Sequence, residues 1–187
     1  GLPSNNVNAF LTVTQTNNAG VVTDEMIYVA TSNGVARWNA TGDNWETAWT
    51  ALDGLPISFV QDIIEFDGDI WMATPNGISQ YDPVAMSVTN YGKTAGLMGT
   101  STWGLYGTTT TSTDPSGTTT TQNSLFVSHD GKGTDRPGIT QFDTGSQTVT
   151  DLHQFDQLPS NTVTAVTSDL WGVHIATDVG PLVHWIR

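Results

Sequence analysis

The sequence predicts an all-β chain made of four tandem copies of one unit, and three observations carry that reading. Apolar residues recur with the period of two that a half-buried strand needs. In copy two, Ile70 and Met72 point one way and Trp71 and Ala73 the other, and the helical period is absent. Turn pairs such as Asp67-Gly68 and Asn76-Gly77 punctuate these runs, supplying the positive φ angles of tight hairpins. Finally, the chain repeats itself.

The segment GLPSNNVNAF (1–10) returns as GLPISFVQDI (54–63), GLMGTSTWGL (96–105) and QLPSNTVTAV (157–166). A second element follows each time, in IYVATSNGVARWN (27–39), IWMATPNGISQYD (70–82), LFVSHDGKGTDRPGITQFD (125–143) and VHIATDVGPLVHWIR (173–187). It reads as strand, tight turn, strand. The markers Leu2, Leu55, Leu97 and Leu158 are spaced by 53, 42 and 61 residues. Those lengths lie near the blade lengths of known propellers once loop insertions are allowed. The predicted fold is therefore a β-propeller within one domain, 1–187, with blades at 1–51, 52–95, 96–156 and 157–187.

Copy two shows how the elements follow. Phe59 to Phe66 forms strand A, Ile70 to Thr74 strand B, Ile78 to Tyr81 strand C and Met86 to Tyr91 strand D. A small residue recurs on strand B, as Ala30, Ala73, Ser128 and Ala176, where close approach of neighbouring blades leaves no room for more. An aromatic recurs on strand C, as Trp38, Tyr81, Phe142 and Trp185, and reads as inter-blade core. Copy four ends after strand C, so 15 strands are expected. The tract GTTTTSTDPSGTTTT (107–121) is symmetric about Asp114-Pro115-Ser116-Gly117 and predicts a polar hairpin closed by a type I turn, with a similar extension near Asn17 to Gly20. Helix is expected in under about a tenth of the chain.

Composition narrows the partners. With 5 Lys+Arg against 18 Asp+Glu, the formal charge of −13 repels phosphate backbones and anionic lipid, so nucleic acid and membrane surfaces are disfavoured. No apolar run approaches the roughly 18 residues of a membrane span. The absence of cysteine excludes disulfides and thiolate metal sites and leaves the compartment open. An acidic, Lys-poor surface also suits a saline source.

These residues resemble the two-component regulator propeller repeat, whose consensus runs roughly GLPSN, an apolar strand, a W-I-G-T-like strand, N-G-L and an aromatic-Asp. The resemblance covers essentially the whole chain. It is strongest in copies one and two and weakest in copy three, where Met98-Gly99 replaces Pro-Ser and six extra residues enter the B–C turn. The strand B glycine of the family is Ala or Ser here. The resemblance implies an extracytoplasmic sensing module, periplasmic or at the cell surface, that recognises a small molecule or glycan. The alternatives are a cell-surface scaffold for protein interaction and a propeller lyase or glycoside hydrolase.

Propeller geometry gathers the D–A and B–C connections at one end of the ring, where ligands usually bind. The B–C loop SHDGKGTDRPG (128–138) stands out there because it packs His129, Asp130, Lys132, Asp135 and Arg136 into eight residues. Arg136 could fork a carboxylate and the aspartates could supply oxygen ligands. A solvated insertion with internal ion pairs explains the same residues. Asn5 and Asn76 lie on loops of the same end and complete the candidate ligand-binding set. The aspartate spacing is not that of an EF-hand, and no catalytic residue, metal site or cofactor is expected: there is no G-x-S-x-G, H-E-x-x-H, P-loop or dinucleotide motif. The four histidines are scattered, and His174 replaces the strand B aromatics Tyr28, Trp71 and Phe126.

The strand count raises the question of closure. Alone, four copies would leave strand C of the last blade as an unpaired edge. As an arc of a larger ring, they would leave two apolar faces bare. A homodimer pairing the first blade of one chain with the last blade of another would complete an eight-bladed ring.

Overall fold

The computed structural model describes residues 1–97, 99, 101–130, 138–154, 163–168 and 172–186. The structure is all-β, with four antiparallel sheets whose strands follow one another in sequence order. The first sheet holds β1 (Val7–Thr16), β2 (Val22–Thr31), β3 (Gly34–Asn39) and β4 (Asn44–Trp45). The second holds β5 (Asp62–Phe66), β6 (Asp69–Thr74), β7 (Gly77–Asp82) and β8 (Ser87–Tyr91). In the third are β9 (Thr102–Thr113), β10 (Thr119–His129), β11 (Gly138–Asp143) and β12 (Thr148–Gln154). The fourth has three strands among the described residues, β13 (Val163–Ser168), β14 (Gly172–Thr177) and β15 (Val183–Ile186). The expected 15 strands are all present. Helix among the described residues is confined to two 3₁₀ turns, Ala51–Asp53 and Lys93–Ala95.

The turn chemistry explains why the sequence breaks where it does. Asp67 and Gly68, with φ of 58° and 86°, close the β5–β6 hairpin. Each 3₁₀ turn ends on a left-handed glycine, Gly54 at φ 103° and Gly96 at φ 95°, which is the glycine that opens the repeated segment in copies two and three. The aromatic-Asp at the end of strand C also has a mechanical role. The Asp82 carboxylate accepts from the backbone N–H groups of Val84 and Ala85, and Asp143 accepts from Ser146 in the same way. Each of these turns then leaves through a left-handed residue, Met86 or Gln147. At the B–C turn the Thr31 and Thr74 hydroxyls donate to the carbonyls of Gly34 and Gly77 and accept from the N–H of Asn33 and Asn76.

Strand A of copy two is shorter than expected, starting at Asp62 instead of Phe59. The preceding backbone is bound to the first sheet: the Val60 N–H donates to the Thr31 carbonyl at 3.0 Å, and Asn8 Nδ2 donates to the Val60 carbonyl at 2.7 Å. The threonine tract forms the expected hairpin, with Thr113 opposite Thr119 and Asp114 accepting from the N–H of Ser116 and Thr118.

The chain divides into two compact units, Gly1–Asn90 with the first two sheets and Tyr91–Arg187 with the last two. The core of the first joins Tyr28, Ala30 and Val35 to Val60, Ile63, Ile70 and Met72, so facing sheets share one apolar layer. In the second, Phe126 and Ile139 meet Val163, Val166, Val173 and Ile175. The small strand B residues Ala30, Ala73 and Ser128 are fully buried, and Ala30 lies where the first two sheets pack together.

Candidate functional site

Within the first unit, a cavity of about 280 Å³ opens between the first and second sheets. Its apolar lining is Val13, Met26, Tyr28, Ile70 and Tyr81, and its polar lining is Thr14, Gln15, Asp24, Arg37 and Glu65. Gly68 and Pro83 also border it, which places it at the A–B and C–D end of the sheets. That is the end opposite the D–A and B–C loops to which the sequence pointed.

Arg37 organises the site. It stands on β3 in register with Tyr28 on β2, so alternation directs both side chains to the same face of the sheet. Its guanidinium lies 4.6 Å above the Trp49 ring, and its Nη2 pairs with Glu46 Oε2 at 2.5 Å. Arg37 Nε is buried and has no hydrogen-bond partner among the described residues. Trp49 is fixed by paired backbone bonds with Val35, at 2.8 and 2.9 Å, and its ring lies 5.5 Å from Tyr28 and 4.2 Å from Tyr81. Burial pushes the Tyr28 hydroxyl above the usual tyrosine range, while the positive charge of Arg37 pulls the other way. Tyr28 is therefore a neutral donor at physiological pH. The cleft combines two aromatic rings and an arginine with the carboxylates of Asp24 and Glu65. Among the described residues there is no cluster of three His, Asp or Glu able to hold a metal ion.

Solved structures provide a comparison. The chain resembles the extracellular domain of a protein described as a one-component system from B. thetaiotaomicron, with 16% identity and a TM-score of 0.58 over 94% of this chain and 21% of that one. It resembles the computationally designed Ika4 protein to a similar degree, with 12% identity and a TM-score of 0.57 over 100% of this chain and 93% of that one. A B. thetaiotaomicron extracellular domain described as part of a hybrid two-component system gives 14% identity and a TM-score of 0.53, over 92% of this chain and 23% of that one. The shared property is the fold, and the chain spans about a fifth of the length of the natural extracellular domains it matches. No family model and no curated protein matches it.

The residues selected from sequence fall elsewhere. His129 is fully buried, its Nε2 2.8 Å from Thr140 Oγ1, and it takes the strand B position that Thr31 and Thr74 hold in the first two copies. Asp130 is buried as well and accepts a hydrogen bond from Trp103 Nε1 at 2.8 Å. Lys132, Asp135 and Arg136 lie outside the described residues. Asn5 and Asn76 are exposed, and the Asn76 N–H donates to Thr74 as part of its turn. The structure thus brings none of the described members of that set into the cleft. Arg37 was legible as the one basic residue inside the strand, tight turn, strand element of copies one and two. Its partners Trp49 and Glu46 come from the segment after strand C, where no alternation pattern gave a face.

Proposed function

We infer that this chain is a non-catalytic recognition module of the kind carried outside the membrane by sensor proteins, and that the cleft between its first two sheets is the contact site. The observation that carries this reading is Arg37 itself, a half-buried arginine whose buried Nε–H is unused, beside two tyrosine rings and two carboxylates. The fold likeness to extracellular domains supports the compartment. No helix among the described residues is long and apolar enough to cross a membrane.

The charge balance of the cleft selects the ligand class. Arg37 is already matched by Glu46, so Asp24 and Glu65 leave the site net negative, and an anion would meet repulsion. Carboxylates that accept, an arginine N–H that donates and aromatic rings that cover C–H surface suit a neutral, hydroxyl-rich ring such as a sugar. A cavity of 280 Å³ falls just below the usual range for drug-sized ligands and suits one ring more than a polymer. Titration of ¹⁵N-labelled protein with glucose, galactose and mannose, alongside the matching uronates, tests this. Amide shifts centred on Tyr28, Arg37 and Tyr81 with neutral sugars are expected. Shifts confined to residues 1–6 and 74–77, or a stronger response to the uronates, would overturn it.

A further inference from the structure

The repeat allows one surface to be compared with its own buried counterparts. The seventh residue of the ten-residue segment that opens each copy is Val60, Thr102 and Val163 in copies two, three and four. Each is fully buried at 0% exposure. The tenth residue is Ile63, Leu105 and Val166, at 3%, 6% and 8%. In copy one the same two positions are Val7 at 48% and Phe10 at 76%. Leu2 is 44% exposed, where Leu55 and Leu97 are at 4%. On the neighbouring strand Ile27 and Val29 are only half-buried, whereas their counterparts Ile70 and Met72 lie in the core.

The opposite face of the fourth sheet is open in a complementary way. Tyr28, Trp71 and Phe126 are buried on strand B, and His174 at the same position is half-buried. Ala30, Ala73 and Ser128 are buried, and Ala176 is half-buried. His174 stacks flat on His184, with ring centroids 4.4 Å apart, next to exposed Ala165 and Thr167.

These are the two halves of a join that the chain makes inside each unit. In the first unit the face bearing Tyr28 and Ala30 covers Val60, Ile63, Ile70 and Met72. In the second the face bearing Phe126 covers Val163, Val166, Val173 and Ile175. We propose that a second copy of this chain completes the same join. The apolar face of the first sheet (Leu2, Val7, Phe10, Ile27, Val29) docks on the His174–Ala176 face of the partner's fourth sheet, and a two-fold axis repeats the contact. Each face matches one side of a join already made within a unit, and a two-fold partner meets both faces with the same contact. None of the named contact positions carries a carboxylate, a lysine or an arginine.

Sedimentation equilibrium on the 187-residue chain tests this directly. The expected mass is twice the 20.0 kDa of one chain and holds on dilution through the micromolar range. Phe10→Glu, at a side chain exposed in the single chain, should leave the circular dichroism spectrum unchanged. It should raise the dissociation constant roughly a hundred-fold or more, because a carboxylate would be buried unpaired at both joins. The faces themselves are mapped by a cysteine pair in this cysteine-free chain. The Val60 N–H to Thr31 carbonyl bond implies that Val7 meets the equivalent Thr177 of the partner. Val7→Cys with Thr177→Cys should therefore give a disulfide-linked species at twice the chain mass. A concentration-independent 20.0 kDa mass, a dimer indifferent to Phe10→Glu, or a disulfide closing within one chain would each overturn the proposal.

Discussion

Replacing Gly34 with alanine should be among the most damaging single-methyl changes in the first unit, and the structure gives the size of the effect. Gly34 has φ 121°, a region that only glycine enters cheaply, and a Cβ there would collide with the Trp49 carbonyl oxygen. Gly68 is a natural control in the same unit, with φ 86° and nothing within 4 Å of the added atom. Gly68→Ala should cost the left-handed strain of about 1–2 kcal/mol, less about 0.4–1 kcal/mol recovered from the stiffer unfolded chain, or roughly 1 kcal/mol net. Gly34→Ala adds displacement of the Trp49 backbone. That breaks one or both bonds of the Val35–Trp49 bridge at about 1 kcal/mol each, for roughly 2–3 kcal/mol in all. Urea unfolding of both variants by tryptophan fluorescence measures the difference. If the two midpoints agree to within about 0.5 kcal/mol at equal m value, the bridge does not hold Trp49 and the account of the cleft fails.

Two further outcomes follow from packing and charge. Ala73→Leu should cost about 1–3 kcal/mol in thermal or urea unfolding, because the site is fully buried and has no room for three added carbons; an unchanged midpoint would show that space exists there. Burial raises the Asp69 carboxyl above its ordinary value, against a hydrogen bond donated by Gln80. A raised folded-state value means that its contribution is fully present below the unfolded value near 3.8 and is lost as pH rises through the folded one. Asp69→Asn, which still accepts from Gln80, should therefore raise the melting temperature at pH 7 and lose that advantage at pH 3; an equal effect at both would be evidence against desolvation as the cause.

Most of the fold was legible because its signals are local. The paired positive φ angles at Asp67-Gly68, the GLP glycine after a 3₁₀ turn and the aromatic-Asp at the end of strand C each act within a few residues. The sequence carries them without help from the rest of the chain. Face assignment along Ile70-Trp71-Met72-Ala73 also survived, since alternation is enforced by the pleat. The site was harder to read because its parts are joined only by packing. Arg37 meets Trp49 through an isolated bridge between Val35 and Trp49, and Tyr81 arrives from the next sheet. The charged cluster that drew attention, beginning at His129 and Asp130, is chemically conspicuous in one dimension. The structure accounts for its first two members as buried groups with internal partners, Thr140 and Trp103.

Arg37 is both a scaffold and a candidate contact, and the two roles can be separated. Its ion pair with Glu46 is partly open to water, with side-chain exposures of 19% and 30%, so solvent screening limits it to about 1 kcal/mol or less. The stacking on Trp49 is more deeply buried and joins three rings into one cluster, so it should contribute more of the stability. A double-mutant cycle of Arg37→Met with Glu46→Gln should therefore show a coupling under about 1 kcal/mol. Arg37→Lys should be clearly destabilising although it keeps the charge, because it gives up the flat guanidinium. If Arg37→Lys were neutral and the Glu46 coupling large, the ion pair would be the structural element and the stack incidental. Binding must then be read from residues that the fold does not need. Asp24→Asn and Glu65→Gln change the lining of the cleft without touching the Trp49 cluster. A weakened sugar response in these two variants at unchanged melting temperature would assign the cleft a recognition role independent of its contribution to folding.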